Sequence, residues 1–284
     1  MKKVMLFIAA AMMVFASCNK DNKGGNKTKP GGGDEEGEEL ILIDGDFADW
    51  AALQSVVSAK RSTTYIGEEL SETEHYRIDA LKEMKVAADQ YNIYFYFEVD
   101  ESIMYRAGVD WENKPTSDGY AAHLQIHFDT DLATVLKDPN DPESSVKTGY
   151  VNWIYDDPGI DYYFEASEIF STDPAKVGEM AGGVLLKYVG PAGADLWDED
   201  PPLQEEVTGE GICAGWGVLG SDKIIRYEIS LTRSFLNLHG ASKKIAVGAE
   251  LFQDANWELM GLLPQANTGA EGVWTGRFLE VTLP

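Results

Sequence analysis

The chain has 284 residues, with 23 Lys and Arg set against 48 Asp and Glu, and a formal net charge of −25. A field of that sign repels phosphate backbones, which argues against nucleic acid as a partner, and it supplies no basic patch to hold the chain on anionic headgroups. Neutral glycans and cations remain compatible partners.

At the N-terminus Lys2 and Lys3 precede an apolar run from Val4 to Ala16, and the run closes on Phe15-Ala16-Ser17-Cys18. The run is shorter than the roughly 20 residues a membrane-spanning helix needs, and small residues stand where a peptidase must bind. Residues 1–17 therefore read as a lipoprotein signal peptide, cut before Cys18 so that lipid is attached to that cysteine. An ordinary signal peptide with a coincidental cysteine is the alternative. The first reading predicts a protein held to the outer membrane by its lipid anchor and exposed at the cell surface. It leaves Cys213 without an intramolecular partner. No disulfide is then expected, and Cys213 reads as a small buried apolar side chain.

Residues 18–39 change composition. Lys20, Lys23, Lys27 and Lys29 come first, Gly31-Gly32-Gly33 follows, and Asp34, Glu35, Glu36, Glu38 and Glu39 close the segment. With almost no apolar side chain to bury, the segment is predicted to be a flexible tether. It resembles the polar, charged tethers of surface-exposed lipoproteins in the Bacteroidota, though it is less acidic just after the cysteine. Residues 40–284 remain as the folded domain, a length one all-β unit can fill.

Beyond Leu40 an alternation of period two dominates. Ile93, Phe95, Phe97 and Val99 fall on one face of a strand, with Tyr94, Tyr96 and Glu98 on the other, which predicts a half-buried strand. The same pattern recurs at Leu124, Ile126 and Phe128, at Ile225, Tyr227, Ile229 and Leu231, and at Ile245, Val247, Ala249 and Leu251. Turn chemistry separates these runs at Asp44-Gly45, Asp89 to Asn92, Asp138 to Pro142, Asp157-Pro158-Gly159 and Pro191 to Gly193. Helical spacing is confined to short stretches near Glu165 to Phe170 and Thr232 to Leu238. The expected fold is all-β, an antiparallel two-sheet β-sandwich, jelly-roll-like, with few short helices.

Four segments taken in order resemble a known pattern. Ile43-Asp44-Gly45-Asp46-Phe47-Ala48-Asp49-Trp50 is similar to the opening of domains related to the family 9 carbohydrate-binding modules. Met84 to Asp100 resembles the paired strands that follow, Gly119 to Asp131 the strand that ends in an acidic turn, and Arg226 to Leu236 the late strand running into a helical turn. The resemblance covers most of residues 41–284, with Phe278 to Leu283 as a last strand. It implies a sandwich of the jelly-roll kind, often sugar-binding and often attached to glycan-degrading systems. The matched positions are scaffold positions, so it hands over no ligand residues. On physical grounds Trp50 is expected in the core, and Asp44 and Asp46 are expected to shape a turn around Gly45 rather than bind metal.

Sugar recognition in water needs aromatic faces for C–H patches and carboxylates or amides for hydroxyls. Residues between Phe97 and Leu124 supply Tyr105, Trp111, Glu112, Asn113 and Asp118, a long polar and aromatic stretch suited to a binding loop. A second group is Trp153, Tyr155, Asp156 and Asp157, followed by Tyr162 and Tyr163. A third is Trp197, Asp198, Glu199 and Asp200. Trp111 and Trp197 are the stronger candidates because charged neighbours surround each. Asp129, Asp131, Asp138 and Asp141 supply oxygen ligands of the kind calcium prefers, although no 12-residue calcium loop is spelled out, and a solvated acidic turn is the alternative. His123, Gln125 and His127 share a strand face. At about 3.3 Å per residue the two imidazoles are rooted about 13 Å apart, which suits a polar, concave binding face better than a shared metal ion.

No nucleophile elbow, zinc-protease motif or phosphate-binding loop occurs. Acid pairs for glycoside hydrolysis are too abundant among 48 acids to discriminate. The sequence therefore leads to a non-catalytic, lipid-anchored surface protein that binds carbohydrate within a glycan-capture system, with calcium as an optional cofactor. Three rivals stay open. They are a structural or protein-binding subunit of an envelope complex, a haem-binding domain of the related DOMON type using Met104 and His123, and a glycoside hydrolase.

Overall fold

A computed structural model describes residues 40–53, 56–60, 80–100, 122–132, 135–138, 141–150, 159–166, 183–194, 196, 203–238, 243–253, 259–264 and 278–284. Two antiparallel sheets dominate, as the alternation predicts. The first, sheet A, has the order β1-β2-β3-β11-β10, from strands β1 (Val57–Lys60), β2 (Leu81–Ala88), β3 (Asn92–Asp100), β10 (Cys213–Leu219) and β11 (Ile224–Thr232). The second, sheet B, runs β13-β12-β4-β7-β8-β9, from β4 (Ala122–Asp129), β7 (Tyr162–Ala166), β8 (Val184–Tyr188), β9 (Gln204–Val207), β12 (Lys244–Gln253) and β13 (Leu259–Leu263). The last strand, β14 (Leu279–Thr282), pairs with Lys244–Val247 of β12, while β13 takes Ala249–Phe252 of the same strand. A separate hairpin joins β5 (Val135–Asp138) to β6 (Asp141–Lys147).

The core lies where the inward residues of the two sheets meet. Ile93, Phe95, Phe97 and Val99 of β3 face Leu124, Ile126 and Phe128 of β4, and all are buried. Phe95 meets Phe128 edge-on across the sheets, with ring centroids 5.8 Å apart. Such apolar burial, at about 25 cal/mol per Å², is the main force holding the layers together.

Three expectations are corrected here. Strand β3 is buried on both faces, because Tyr94 and Tyr96 are covered together with Ile41 and Trp50 by the chain's own Leu40–Leu53 segment. That segment contains a short helix, α1 (Ala48–Ala52), which the periodicity did not suggest. Of the two expected helical turns, the one after Thr232 is present as a single 3-10 turn, Arg233–Leu236, whereas Glu165 and Ala166 belong to β7. Finally, Cys213 is half-buried and disulfide-bonded, its partner outside the described residues, so the expectation of a chain without a disulfide fails.

The strand registers define two ends of the sandwich. Asp100, Ala122, Ala166 and Val184 mark one, because β3, β4, β7 and β8 end or begin there. Asn92, Asp129, Tyr162 and Thr232 mark the other. At this second end Arg233 is buried. It donates from Nη1 to the carbonyl of Asp89 at 2.6 Å and to that of Pro284 at 3.2 Å.

Candidate functional site: an acidic cluster at one end of the sandwich

β4 and β7 pair antiparallel with Phe128 opposite Tyr162. The register places the next residue of each strand, Asp129 and Asp161, side by side. The Asp161 amide confirms this by donating to the carbonyl of Phe128 at 2.8 Å. Asp131 follows two residues on, and ligand atoms of Asp129, Asp131 and Asp161 all lie within 4.8 Å of one another. Asp129 is 2% exposed, while the other two are half-buried.

Local hydrogen bonds set the cluster's shape. Asp161 Oδ2 accepts from the backbone N–H of Thr130 at 2.8 Å and from its hydroxyl at 2.7 Å. Asp129 Oδ1 accepts from the Asp131 amide at 3.2 Å, and the Thr148 hydroxyl donates to Asp131. Burial raises the Asp161 carboxyl above its ordinary range, Thr130 partly offsets this, and the charge of Asp131 adds to the rise. Three carboxylates crowded this closely repel one another unless protons or a cation neutralise them. The three carboxylates are thus close enough for one hard cation to reach all of them.

Two of the expected calcium ligands, Asp129 and Asp131, thus come together, joined by Asp161, which the sequence reading missed. Asp138 and Asp141 lie downstream in the chain, whereas the third carboxylate arrives across the ladder. Its signal was the acid immediately before the Tyr162-Tyr163-Phe164 run, legible only once β7 is known to pair with β4. Asp138 closes β5 and Asp141 opens β6, opposite each other in the hairpin register, and their side chains lie outside the described residues.

The polar face of β4 is not an open binding surface. Gln125 and His127 are buried at 8% and 2% exposure. His127 Nδ1 is 2.8 Å from the Tyr150 hydroxyl and its Nε2 is 3.0 Å from Glu250 Oε2. Gly248 stands opposite His127 on β12. Phe278 stacks on the imidazole at 6.3 Å, and Tyr163 and Tyr188 complete an aromatic layer around Tyr150. The expected concave face is therefore covered. Tyr162 and Tyr163 are likewise buried, Tyr162 in the main core and Tyr163 in this outer layer, which removes both from the candidate binding residues.

Trp50 is 3% exposed and packs on Tyr96, as expected of a core residue. The turn at Gly45 also holds: Gly45 has φ +81°, and Asp44 Oδ1 accepts from the Asp46 amide at 2.8 Å. Gly45 is required there twice over, because a Cβ would meet the indole of Trp216 at 2.4 Å.

Cys18, Met104, Tyr105, Trp111, Glu112, Asn113, Trp153, Tyr155 and Trp197 lie outside the described residues, as does the side chain of His123. Their flanking residues are described. Residues 101–121 connect Asp100 to Ala122 at the first end of the sandwich, whereas residues 151–158 connect Tyr150 to Gly159 beside the acidic cluster. Residues 197–202 connect Leu196 to Leu203, whose amide donates back to Leu196 and whose carbonyl accepts from Val189 just past β8. The attachment points of the three candidate tryptophans are thus divided between the two ends.

No protein-family model matches the chain. No curated protein matches it either. Among solved structures, one similar chain is described as a "putative carbohydrate-binding protein" from Bacteroides uniformis, with 10% identity, a TM-score of 0.34, and coverage of 81% of this chain and 85% of that one. A likeness of that degree carries no argument about ligand or mechanism.

Proposed function

We propose that this protein is a non-catalytic, carbohydrate-binding lipoprotein of the outer cell surface, tethered through lipid on Cys18, with calcium held by Asp129, Asp131 and Asp161. The observation that carries the reading is the chemistry of residues 101–121 together with their anchorage. The segment holds Tyr105, Trp111, Glu112 and Asn113, and it is gripped by the ends of β3 and β4, two central strands of different sheets. A binding segment held at both ends by core strands loses less freedom when it takes up a ligand. The cation's part is structural. It neutralises the crowded carboxylates and locks the β4 exit onto β7.

The direct test is affinity electrophoresis and glycan-array binding of the mature protein beside Trp111→Ala. Retardation in a polysaccharide gel that the substitution abolishes supports the reading, while background binding by the parent protein removes it. For the cation, calcium should raise the melting temperature and release heat on titration, and Asp161→Asn should remove both effects. Saturation at 100 times Kd corresponds to about 2.7 kcal/mol of added stability.

Anchoring has its own test. The chain has two cysteines, and Cys213 is disulfide-bonded, so in the proposed mature form lipid takes the Cys18 sulphur in place of that bond. Intact mass of the membrane-extracted protein should show the acyl adduct. A mass lacking the adduct refutes the anchor.

A further inference from the structure

We propose that Glu228 is the catch of a proton-dependent latch that holds the Leu40–Leu53 segment, where the tether enters the domain, on the outer face of sheet A, and that the latch loosens when this carboxyl ionises. Glu228 sits on the outward side of β11, beneath the segment, and is 0% exposed. Its Oε1 accepts from the amides of Asp44 at 2.7 Å and Gly45 at 2.6 Å, contacts 184 and 183 residues apart in the chain. Its Oε2 has no hydrogen-bond partner. The Trp50 indole N–H, itself buried, faces the carboxyl and favours its charged form by hydrogen bonding, though short of normal bond geometry.

Half of this carboxyl is therefore well solvated by main-chain donors and half is stranded. A protonated carboxyl tolerates that arrangement, because its stranded oxygen bears no full charge. An ionised one leaves charge on a buried atom whose nearby donor, the Trp50 indole, does not reach it in normal geometry, which is costly. The surroundings add little relief. Asp44, from the segment itself, is acidic and disfavours ionisation. Tyr96, facing from β3, is held neutral by burial and by its hydrogen bond to Glu98. Arg226, two residues along β11, is committed to Asp222 at 2.7 Å and Glu98 at 3.4 Å. The neighbouring residue on β10 is Trp216, which carries no charge. Burial is the largest influence and pushes the Glu228 carboxyl up to about 7.

The segment's other holds are mainly apolar, Ile41 and Trp50 packing on Ala87, Tyr94 and Tyr96, with one polar tie from the Leu40 amide to Asp89 at 3.4 Å. Ionisation of Glu228 should therefore open the Asp44–Gly45 turn locally while the sandwich stays folded.

Hydrogen–deuterium exchange on the full mature chain tests this. After correction for intrinsic rates, the amides of Asp44 and Gly45 should exchange at least about tenfold faster at pH 8 than at pH 5.5, the factor that each pK unit of upward displacement supplies. Amides of β3 and β11 should keep their protection at both values. Glu228→Gln, which retains the acceptor oxygen and cannot ionise, should abolish the difference. Should that variant fail to fold, Asp44→Asn serves instead, and the midpoint of the pH dependence should move to lower pH as the neighbouring charge is removed. Equal protection at both pH values, a difference that survives Glu228→Gln, or a midpoint unmoved by Asp44→Asn overturns the proposal.

Discussion

The outer faces of the two sheets are both roofed by the chain's own segments, and each roof covers a buried acid, but the acids are treated differently. On sheet B, Glu250 meets His127, and His127 meets Tyr150, so the polar groups beneath the roof answer one another. On sheet A, Glu228 meets two backbone amides with one oxygen, while the other has no hydrogen bond of normal geometry. Sheet B's roof rests on a satisfied network, which rigidifies it. Sheet A's roof rests on aromatic packing around a half-satisfied carboxyl. Burial alone does not make a face permanent: what counts is whether the polar atoms sealed beneath it have partners.

The sharpest way to break this contrast is to remove the packing on sheet A. Trp50→Ala should destabilise the protein by about 3–5 kcal/mol, the range for deleting a buried tryptophan, measured as a lower urea midpoint with an unchanged m value. On sheet B, His127→Ala should cost less, about 2–3 kcal/mol, mainly because Tyr150 and Glu250 each lose a partner beneath a closed roof. A cost near zero would mean that the network contributes nothing to holding that face.

A third measurement separates the faces by pH. The ordinary carboxyl value is 4.5, and Glu228 in the folded protein lies at about 7, so the folded state binds more protons than the unfolded one between those values. Its share of the stability is therefore full below about pH 4.5, declines as pH rises toward 7, and is flat beyond. Glu228→Gln should flatten most of that slope. The smallest effect is expected at the solvent-facing margin of sheet A. There Arg226 holds the Asp222 carboxyl down to about 2, yet the pair is exposed and screened. Asp222→Asn should leave the melting temperature at pH 7 within experimental error.

Much of the sandwich was legible in the residues themselves. Ile93 to Val99 and Ile225 to Leu231 alternate so regularly that strand, inward face and antiparallel layering follow from them. The roofs were not legible, because a period of two says which residues share a face but not what later covers it. Tyr94 and Tyr96 looked like the wet side of β3 and are dry because Ile41 and Trp50 lie on them. The acidic cluster was half legible for a related reason. Asp129 and Asp131 are neighbours in the chain, whereas Asp161 becomes their neighbour only through strand pairing. Cys213 misled because its pairing was judged from the fate assigned to Cys18.

The place where the proposed tether would join the domain has a mechanical consequence. A load applied through residues 18–39 reaches Leu40 first, and Leu40 is fastened by its amide to the Asp89 carboxylate at 3.4 Å. Next in line come the amides of Leu42, on Asp49, and of Asp44 and Gly45, on Glu228. None of these belongs to a sheet ladder. Tension would thus be spent peeling a short strip from the surface before any rung of the core pairing between β3 and β11 is stretched, so under the proposed anchoring the strip would act as a shock absorber for the sandwich.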